Sequence, residues 1–120
     1  MATILVVDDS AVSRRLLGYT LQQDGHVVVS AGDGNAALNM LTNTAVDLVI
    51  ADLAMPGMDG LTLLRSIRAD RRLESVRLVM MTASGQDQDR LDAQIAGAND
   101  FLTKPTSSRD LLATVHRLLD

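Results

Sequence analysis

The 120-residue chain contains no cysteine, which excludes disulfides, thiolate metal sites, iron–sulfur clusters and cysteine nucleophiles. Tryptophan is also absent, and Tyr19 and Phe101 are the only tyrosine and the only phenylalanine. Two such rings are too few to form a stacking platform for bases or sugars. Thiol chemistry and aromatic recognition of nucleic acid are therefore excluded.

Long hydrophobic runs and an excess of positive charge are also missing. No apolar stretch approaches the ~20 residues that a membrane-spanning helix needs, and the first residues lack the basic region of a signal peptide. The formal net charge of −4 argues against a domain that binds nucleic acid by neutralising its phosphates. We therefore expect a cytoplasmic domain that binds neither membranes nor nucleic acid.

Five apolar segments of strand length recur along the chain, and each is followed by a segment with helical periodicity. The predicted strands are Thr3–Val7, Val27–Ala31, Leu48–Ala51, Leu78–Met81 and Asp100–Thr103. The first four are almost continuous apolar runs, typical of strands buried on both faces. Because parallel strands need crossover helices, the alternation predicts one α/β domain over residues 1–120, with a flavodoxin-like doubly wound sheet in the order 2-1-3-4-5.

Four of the five predicted helices carry an apolar stripe at helical spacing, which we expect to face the core. In chain order, the stripes are Val12, Leu16 and Tyr19; Ala37, Met40 and Leu41; Leu63, Leu64 and Ile67; and Leu111, Val115 and Leu118. The remaining segment, Gln86–Ala96, has only Leu91 and Ile95 as large apolar residues. It is predicted to be the helix with the weakest attachment to the core.

Polar residues end four of the five predicted strands: Asp8 and Asp9, Asp52, Thr82, and Lys104. Sites in open parallel sheets lie beyond the carboxyl ends of the strands, so these side chains are expected to meet. Carboxylates brought together raise one another's pKa unless a cation is present. Ligands that are all oxygen favour Mg²⁺, since neither histidine nor cysteine stands beside them.

Each of these residues also has a purely structural interpretation. Asp9 or Ser10 could cap the first helix, and Lys104 could be a solvated surface residue. Chance agreement of this kind at four independent strand ends is improbable, so the separate structural roles do not explain the whole set. Elsewhere, His26 and His116 are interpreted as too isolated to form a metal site. We expect the remaining basic cluster to be a solvated face: Arg65, Arg68, Arg71, Arg72 and Arg77.

The chain resembles, from end to end, a response-regulator receiver domain of two-component signalling, of the chemotaxis-regulator type. The matching motifs are ILVVDDS (Ile4–Ser10), DLVIADLAMPGMDG (Asp47–Gly60), VMMTAS (Val79–Ser84) and GANDFLTKP (Gly97–Pro105). The resemblance implies a phosphoacceptor that is not a conventional enzyme. Its implied partners are a sensor histidine kinase or a histidine phosphotransfer protein, together with an unknown output protein.

The resemblance also implies roles for individual residues. Asp52 would be phosphorylated, and Thr82 and Lys104 would contact the phosphoryl group. Mg²⁺ would be held by Asp8, Asp9 and Asp52 and by the backbone carbonyl of Ala54. The peptide bond before Pro105 would be cis.

Three positions depart from the commonest family pattern. Ala54 lies two residues beyond Asp52, and Ser84 lies two residues beyond Thr82. In the family, the side chains at these two positions help to set how fast the phosphoryl group is lost. Phe101 stands where the family often has tyrosine, so a switch there must work by packing. We expect Thr82 to move inward and Phe101 to turn from solvent into the vacated space. The fourth helix, fifth strand and fifth helix would then form the partner-binding face.

Three other functions are compatible with the same fold. A flavin-binding electron carrier needs a phosphate loop rich in Ser, Thr and Gly after the first strand, where this chain has Asp8, Asp9 and Ser10. An aspartate-based phosphatase needs an Asp-x-Asp arrangement at the same place, which these residues do not provide. A degenerate receiver that binds partners independently of phosphorylation is the nearest alternative, and the intact polar set argues against it.

Overall fold

The computed structural model describes residues 1–83 and 85–120. The elements are β1 (Thr3–Val7), α1 (Ala11–Gln23), β2 (Val27–Ala31), α2 (Gly34–Asn43), β3 (Leu48–Asp52), α3 (Gly60–Ala69), a short 3₁₀ helix (Arg71–Leu73), β4 (Arg77–Thr82), α4 (Asp87–Ala96), β5 (Asp100–Thr103) and α5 (Ser108–Leu119). All strand pairs are parallel, and the sheet order is β2-β1-β3-β4-β5. The predicted fold is confirmed. Among the described residues, no helix is long and apolar enough to cross a membrane.

The sheet separates two apolar cores, because successive strand side chains point to opposite faces. In β1, Leu5 belongs to the core under α2, α3 and α4, whereas Ile4 belongs to the core under α1 and α5. The central strands β1, β3 and β4 are buried almost throughout. The prediction that β2 is buried on both faces is wrong. Val27 is 45 % exposed, since β2 is an edge strand that pairs only with β1.

The predicted apolar stripe of α1 is also wrong. Val12, Leu16 and Tyr19 are 66 %, 65 % and 63 % exposed, whereas Leu21 is fully buried. Leu17 packs beside Leu21 in the core on this face of the sheet. This helix has two candidate stripes, and the one that it turns toward the sheet contains Leu17, Gly18 and Leu21.

The other helices pack as their periodicity predicts. Helices α2, α3 and α5 bury Ala37 and Leu41; Leu63, Leu64 and Ile67; and Leu111 and Val115. Helix α4 buries only Ala93, while Leu91 and Ile95 are 49 % and 76 % exposed. The expectation of weak attachment is confirmed, because α4 presents alanine to the core and its larger side chains to solvent.

Arg68 departs from the solvated face predicted for the basic cluster. Its guanidinium donates to the carbonyls of Val76 and Gly97 and to Oδ1 of Asn99, at 2.7, 3.0 and 2.9 Å. Burial, with a smaller contribution from the charge of Arg77, lowers the pKa of Arg68. Arg68 therefore ties α3 to the loops that precede β4 and β5, while the other four arginines of the cluster are exposed.

Candidate functional site

The carboxyl ends of β1 and β3 bring three carboxylates together. Asp8 and Asp9 follow β1, and Asp52 is the last residue of β3. One carboxylate oxygen from each of the three residues lies within 4.8 Å of the others. Asp8 is only 1 % exposed, whereas Asp9 is open to solvent. The strand order therefore places an acidic cluster at the edge where the sequence predicts it.

Lys104 brings a positive charge into this cluster from the loop after β5. Its Nζ donates to Oδ2 of Asp8 at 2.7 Å and to Oδ2 of Asp52 at 3.1 Å. The backbone N–H of Lys104 donates to the carbonyl of Thr82 at 2.7 Å, and the Lys104–Pro105 peptide bond is cis. Lys104 is also the only lysine in the chain.

The electrostatics of the site follow from these contacts. Burial acts to raise the pKa of Asp8, but hydrogen bonds from Lys104 and from the Ser10 N–H outweigh it, so that pKa lies below its ordinary value. Burial acts to lower the pKa of Lys104, but its hydrogen bonds to Asp8 and Asp52 outweigh that effect and raise it. The sequence predicts mutual raising of the carboxylate pKa values only where no cation is present, and at Asp8 the ammonium of Lys104 is that cation.

The backbone around Asp52 is held by close packing. The N–H of Leu53 donates to the carbonyl of Met81 at 2.7 Å, and the N–H of Gly60 donates to the carbonyl of Leu53 at 2.9 Å. A Cβ added at Gly60 would lie 2.3 Å from the carbonyl oxygen of Asp52. The start of α3 therefore packs directly on the Asp52 backbone, and only glycine fits there.

Ala54 lies beside the Asp52 carboxylate. Its N–H donates to Oδ1 of Asp52 at 3.2 Å, and the residue is exposed. Ala54 therefore places no bulky side chain beside this carboxylate, and the Asp52 side chain itself is 12 % exposed. The second family position that departs from the usual pattern, Ser84, lies outside the described residues.

Two polar contacts of Asp8, with Arg14 and with Ser10, are not predicted from the sequence. Arg14 donates from its guanidinium to the carbonyl of Asp8 at 2.6 Å. Ser10 caps α1 by accepting from the Ser13 N–H at 3.2 Å and donates its own N–H to Oδ1 of Asp8 at 2.9 Å. The Ser10 cap is readable as a sequence signal, but no spacing rule indicates that Arg14 reaches back to the strand end.

Thr82 is the last residue of β4, and Phe101 lies on the neighbouring edge strand β5, opposite Met80. Thr82 is 4 % exposed and Phe101 is 6 % exposed, and the guanidinium carbon of Arg90 lies 5.1 Å from the centre of the Phe101 ring. The expectation that this ring starts in solvent is wrong. It already packs in the core beneath α4, with Arg90 above it.

His26 and His116 are not isolated in space, contrary to the sequence interpretation. Their Nε2 atoms lie 2.8 and 2.6 Å from the same oxygen, Oδ2 of Asp24. Hydrogen bonds to His116 and His26 lower the pKa of Asp24, with desolvation opposing them. Asp24 and His116 are separated by 92 positions in sequence, which explains why no local pattern reveals the contact.

A flavodoxin-like sheet with three carboxylates, a threonine and a lysine at its strand ends defines a class of small α/β signalling domains. A family model described as "Response regulator receiver domain" matches residues 4–116. The chain belongs to this family of two-component response regulators. Receiver domains of the family accept a phosphoryl group on aspartate, generally use Mg²⁺, and interact with histidine kinases and phosphotransfer proteins; they are not conventional enzymes.

Individual relatives agree with this assignment. The chain is 33 % identical over 116 residues to the phosphate regulon transcriptional regulatory protein PhoB of Escherichia coli, covering 97 % of this chain and 51 % of PhoB. It is 39 % identical over 117 residues to the response regulator PleD of Caulobacter vibrioides, covering 98 % of this chain and 26 % of PleD. The chain therefore spans about half the length of PhoB, or less in the case of PleD.

Solved structures show the same fold. The chemotaxis protein CheY4 of Vibrio cholerae superposes with a TM-score of 0.95 at 32 % identity, covering 99 % of each chain. A response regulator receiver protein from Pseudomonas putida gives a TM-score of 0.91 at 32 % identity, covering 97 % of this chain and 96 % of that one.

Proposed function

We propose that this domain, over residues 1–120, is a phosphoacceptor whose phosphorylated residue is Asp52. The phosphoryl donor would be a sensor histidine kinase or a histidine phosphotransfer protein. The observation that carries the proposal is the Lys104 bridge, which holds one ammonium against the carboxylates of Asp8 and Asp52 at 2.7 and 3.1 Å. A cation aimed at a strand-end carboxylate is what an incoming phosphoryl group requires.

The proposed transfer is a nucleophilic displacement at phosphorus. A carboxylate oxygen of Asp52 forms a bond to the phosphorus of a phosphohistidine as the phosphorus–nitrogen bond breaks. The imidazole nitrogen leaves with the electron pair of that bond and takes up a proton, and an acyl phosphate remains on Asp52. Lys104 places positive charge beside the phosphoryl oxygens, and Thr82, at the end of the neighbouring strand, offers a hydroxyl to one of them.

The acidic cluster fits the Mg²⁺ that the family uses. Asp8, Asp9 and Asp52 offer carboxylate oxygens within 4.8 Å of one another, and a donor set made only of oxygen suits this hard cation. By resemblance, the backbone carbonyl of Ala54 joins them. When bound, Mg²⁺ offsets the charge between the carboxylates and an anionic donor.

The same site would assist the loss of the phosphoryl group to water. Ala54 is small and exposed beside Asp52, so no bulky side chain on this side would block a water that attacks the acyl phosphate. The domain thus promotes its own phosphorylation and dephosphorylation without turning over an independent substrate.

The output would pass through the face formed by α4, β5 and α5, with Thr82 and Phe101 as the switch residues. Thr82 moves toward the phosphoryl group, and the Phe101 ring repacks in response, together with the Arg90 guanidinium that lies above it. Helix α4 is suited to move because it buries only Ala93, and weakly packed elements are the ones that shift in conformational switches.

The test is intact-mass analysis after incubation with phosphoramidate and Mg²⁺. We expect one added phosphate that is labile to hydroxylamine and maps to Asp52. Asp52→Asn should reduce incorporation to background, whereas Asp87→Asn, which changes an exposed carboxylate at the start of α4, should incorporate normally. Full incorporation in Asp52→Asn would refute the assignment. Absence of incorporation in the wild type would favour a receiver that acts without phosphorylation.

A further inference from the structure

Asp24, His26 and His116 form a cluster at the end of the sheet away from the acidic site. Asp24 caps the carboxyl end of α1, His26 immediately precedes β2, and His116 lies in the last turn of α5. The acidic site lies at the carboxyl ends of the strands, whereas this cluster lies at the amino end of β2. One potential ligand atom from each of the three residues lies within 4.8 Å of the other two.

The backbone fixes two of these residues in one tight turn. The N–H groups of Asp24 and His26 both donate to the carbonyl of Leu21, at 3.1 and 3.2 Å. Gly25, which separates them, has φ +90°, a conformation that side-chain-bearing residues rarely adopt. The carboxylate and the first imidazole are therefore positioned before any ligand arrives, and α5 supplies the second imidazole.

The cluster is reachable from solvent. The side chains of His116, Asp24 and His26 are 52 %, 21 % and 10 % exposed. A groove of about 290 Å³ runs between α1 and α5 and includes Asp24 in its lining, with Tyr19 and Ser108 on its two sides. A hydrated cation can therefore approach the carboxylate and the outer imidazole without unfolding the domain.

The chemistry of the three ligand atoms points to a particular group of metals. Two imidazole nitrogens with one carboxylate oxygen suit Zn²⁺ and similar divalent transition metals, whereas Mg²⁺ prefers oxygen alone. We propose that Asp24, His26 and His116 form a second metal site, which takes Zn²⁺ or a chemically similar divalent transition metal with water at the remaining position. The bound ion would link α5 to the turn between α1 and β2.

Metal binding requires a small rearrangement of the three side chains, and this rearrangement can be measured. Ligand atoms around a tetrahedral Zn²⁺ lie about 3.4 Å apart, so the present contacts of 2.6 and 2.8 Å must open. The exposed side chain of His116 has room to do so. A metal on Nε2 of His26 also leaves the imidazole proton on Nδ1, which now accepts from the N–H of Ala2 at 3.3 Å. That hydrogen bond is given up when the metal binds.

The test is calorimetric titration of the full chain with Zn²⁺ in buffer that contains excess Mg²⁺, so that the acidic site is occupied. We expect one Zn²⁺ per chain, with affinity at least tenfold weaker in His116→Gln. Glutamine keeps an amide that donates to Asp24, so the structural hydrogen bond is retained while the metal ligand is lost. Asp9→Ala is the matched control and should leave the Zn²⁺ affinity unchanged.

The ring nitrogens supply a second measurement that needs no variant. The chain has only two histidines, so an ¹⁵N spectrum of the wild type contains two imidazole pairs. We expect Zn²⁺ to shift Nε2 of both rings and the amide of Ala2. The proposal is overturned if the wild type does not bind Zn²⁺, if His116→Gln binds it as tightly as the wild type, if Asp9→Ala removes the binding, or if the ring nitrogens do not shift.

Discussion

Lys104 and Asp8 are 96 residues apart in sequence, yet Nζ of one lies 2.7 Å from Oδ2 of the other. The contact joins the loop after β5 to the end of β1, across the intervening strands β3 and β4. It neutralises a carboxylate that is 1 % exposed. The ammonium of Lys104 therefore compensates one of the three carboxylate charges at this edge before any cation or phosphoryl group arrives.

The first prediction concerns the protonation of Lys104. Because its partners raise the pKa of Lys104 above the ordinary value of 10.5, its stabilising contribution is complete below pH 10.5 and is lost as the pH rises through the folded pKa. Selective ¹³C labelling of lysine gives a single side-chain signal, since the chain has one lysine. In buffer with EDTA, its titration should lie above that of the urea-unfolded chain; an identical titration would contradict the bridge.

The second prediction concerns Mg²⁺ and Asp9. Mg²⁺ at ten times its dissociation constant should stabilise the domain by about 1.4 kcal/mol, a rise in Tm of roughly 3–6 °C for a domain of this size. Asp9→Ala should abolish most of this rise because it removes the exposed carboxylate ligand, whereas Asp87→Ala should not. Differential scanning calorimetry measures the shift. An unchanged Mg²⁺ response in Asp9→Ala would remove Asp9 from the metal site.

The third prediction contrasts two glycines. In Gly60→Ala the new methyl group would lie 2.3 Å from the Asp52 carbonyl oxygen, so we expect a loss of about 3 kcal/mol or more in the free energy of unfolding. In Gly18→Ala it would lie 3.6 Å from Val28 Cγ1, and the gain in helix propensity should stabilise the domain by about 0.5–1 kcal/mol. Urea unfolding of both variants checks this, and equal effects would show that the Asp52 backbone has room to move.

The fourth prediction concerns Arg68. Arg68→Met should cost about 2–4 kcal/mol of unfolding free energy, because two carbonyls and the Asn99 side chain lose a charged donor. Arg65→Met changes an exposed arginine of the same helix and should alter stability by less than about 0.5 kcal/mol. Urea denaturation compares the two variants. Similar losses would mean that the Arg68 hydrogen bonds contribute little.

The fifth prediction tests the switch that we propose. Thr82→Ala should still be phosphorylated, since Asp52 and Lys104 remain, but α4 and Phe101 should respond only weakly. Amide NMR shifts on adding beryllofluoride with Mg²⁺ report the response in the two proteins. If Arg90 and Phe101 shift as far in the variant as in the wild type, the threonine hydroxyl does not link the site to this face.

The strands and their order are predictable from the sequence because an apolar run such as Leu48–Ala51 needs burial whatever surrounds it. The choice of packing face is harder to predict. On α1, Leu16 and Leu17 are adjacent and equally apolar, and only the neighbouring sheet decides that Leu17 faces inward. The burial of strand β2 is equally hard to predict, because its composition does not reveal that it lies at an edge of the sheet.

Polar contacts between distant segments are the least predictable part of the molecule. The strand-end rule places Asp8, Asp52 and Lys104 at one edge, because the topology alone brings them there. No such rule places His116 beside Asp24, or Arg68 against Gly97. These contacts depend on the rotation of a helix about its own axis, which the sequence leaves undetermined.

The sheet divides the interior into two apolar cores, and this division affects how a structural change at the acidic site reaches the helices. Leu5 and Ile4 are neighbours in the chain but belong to separate cores, so a repacking under α4 has no direct apolar path to α1. Both cores meet the same five strands, and the strands end at the acidic site. A group added at that edge therefore touches the one boundary that the two halves share, so both cores lie within reach of the change.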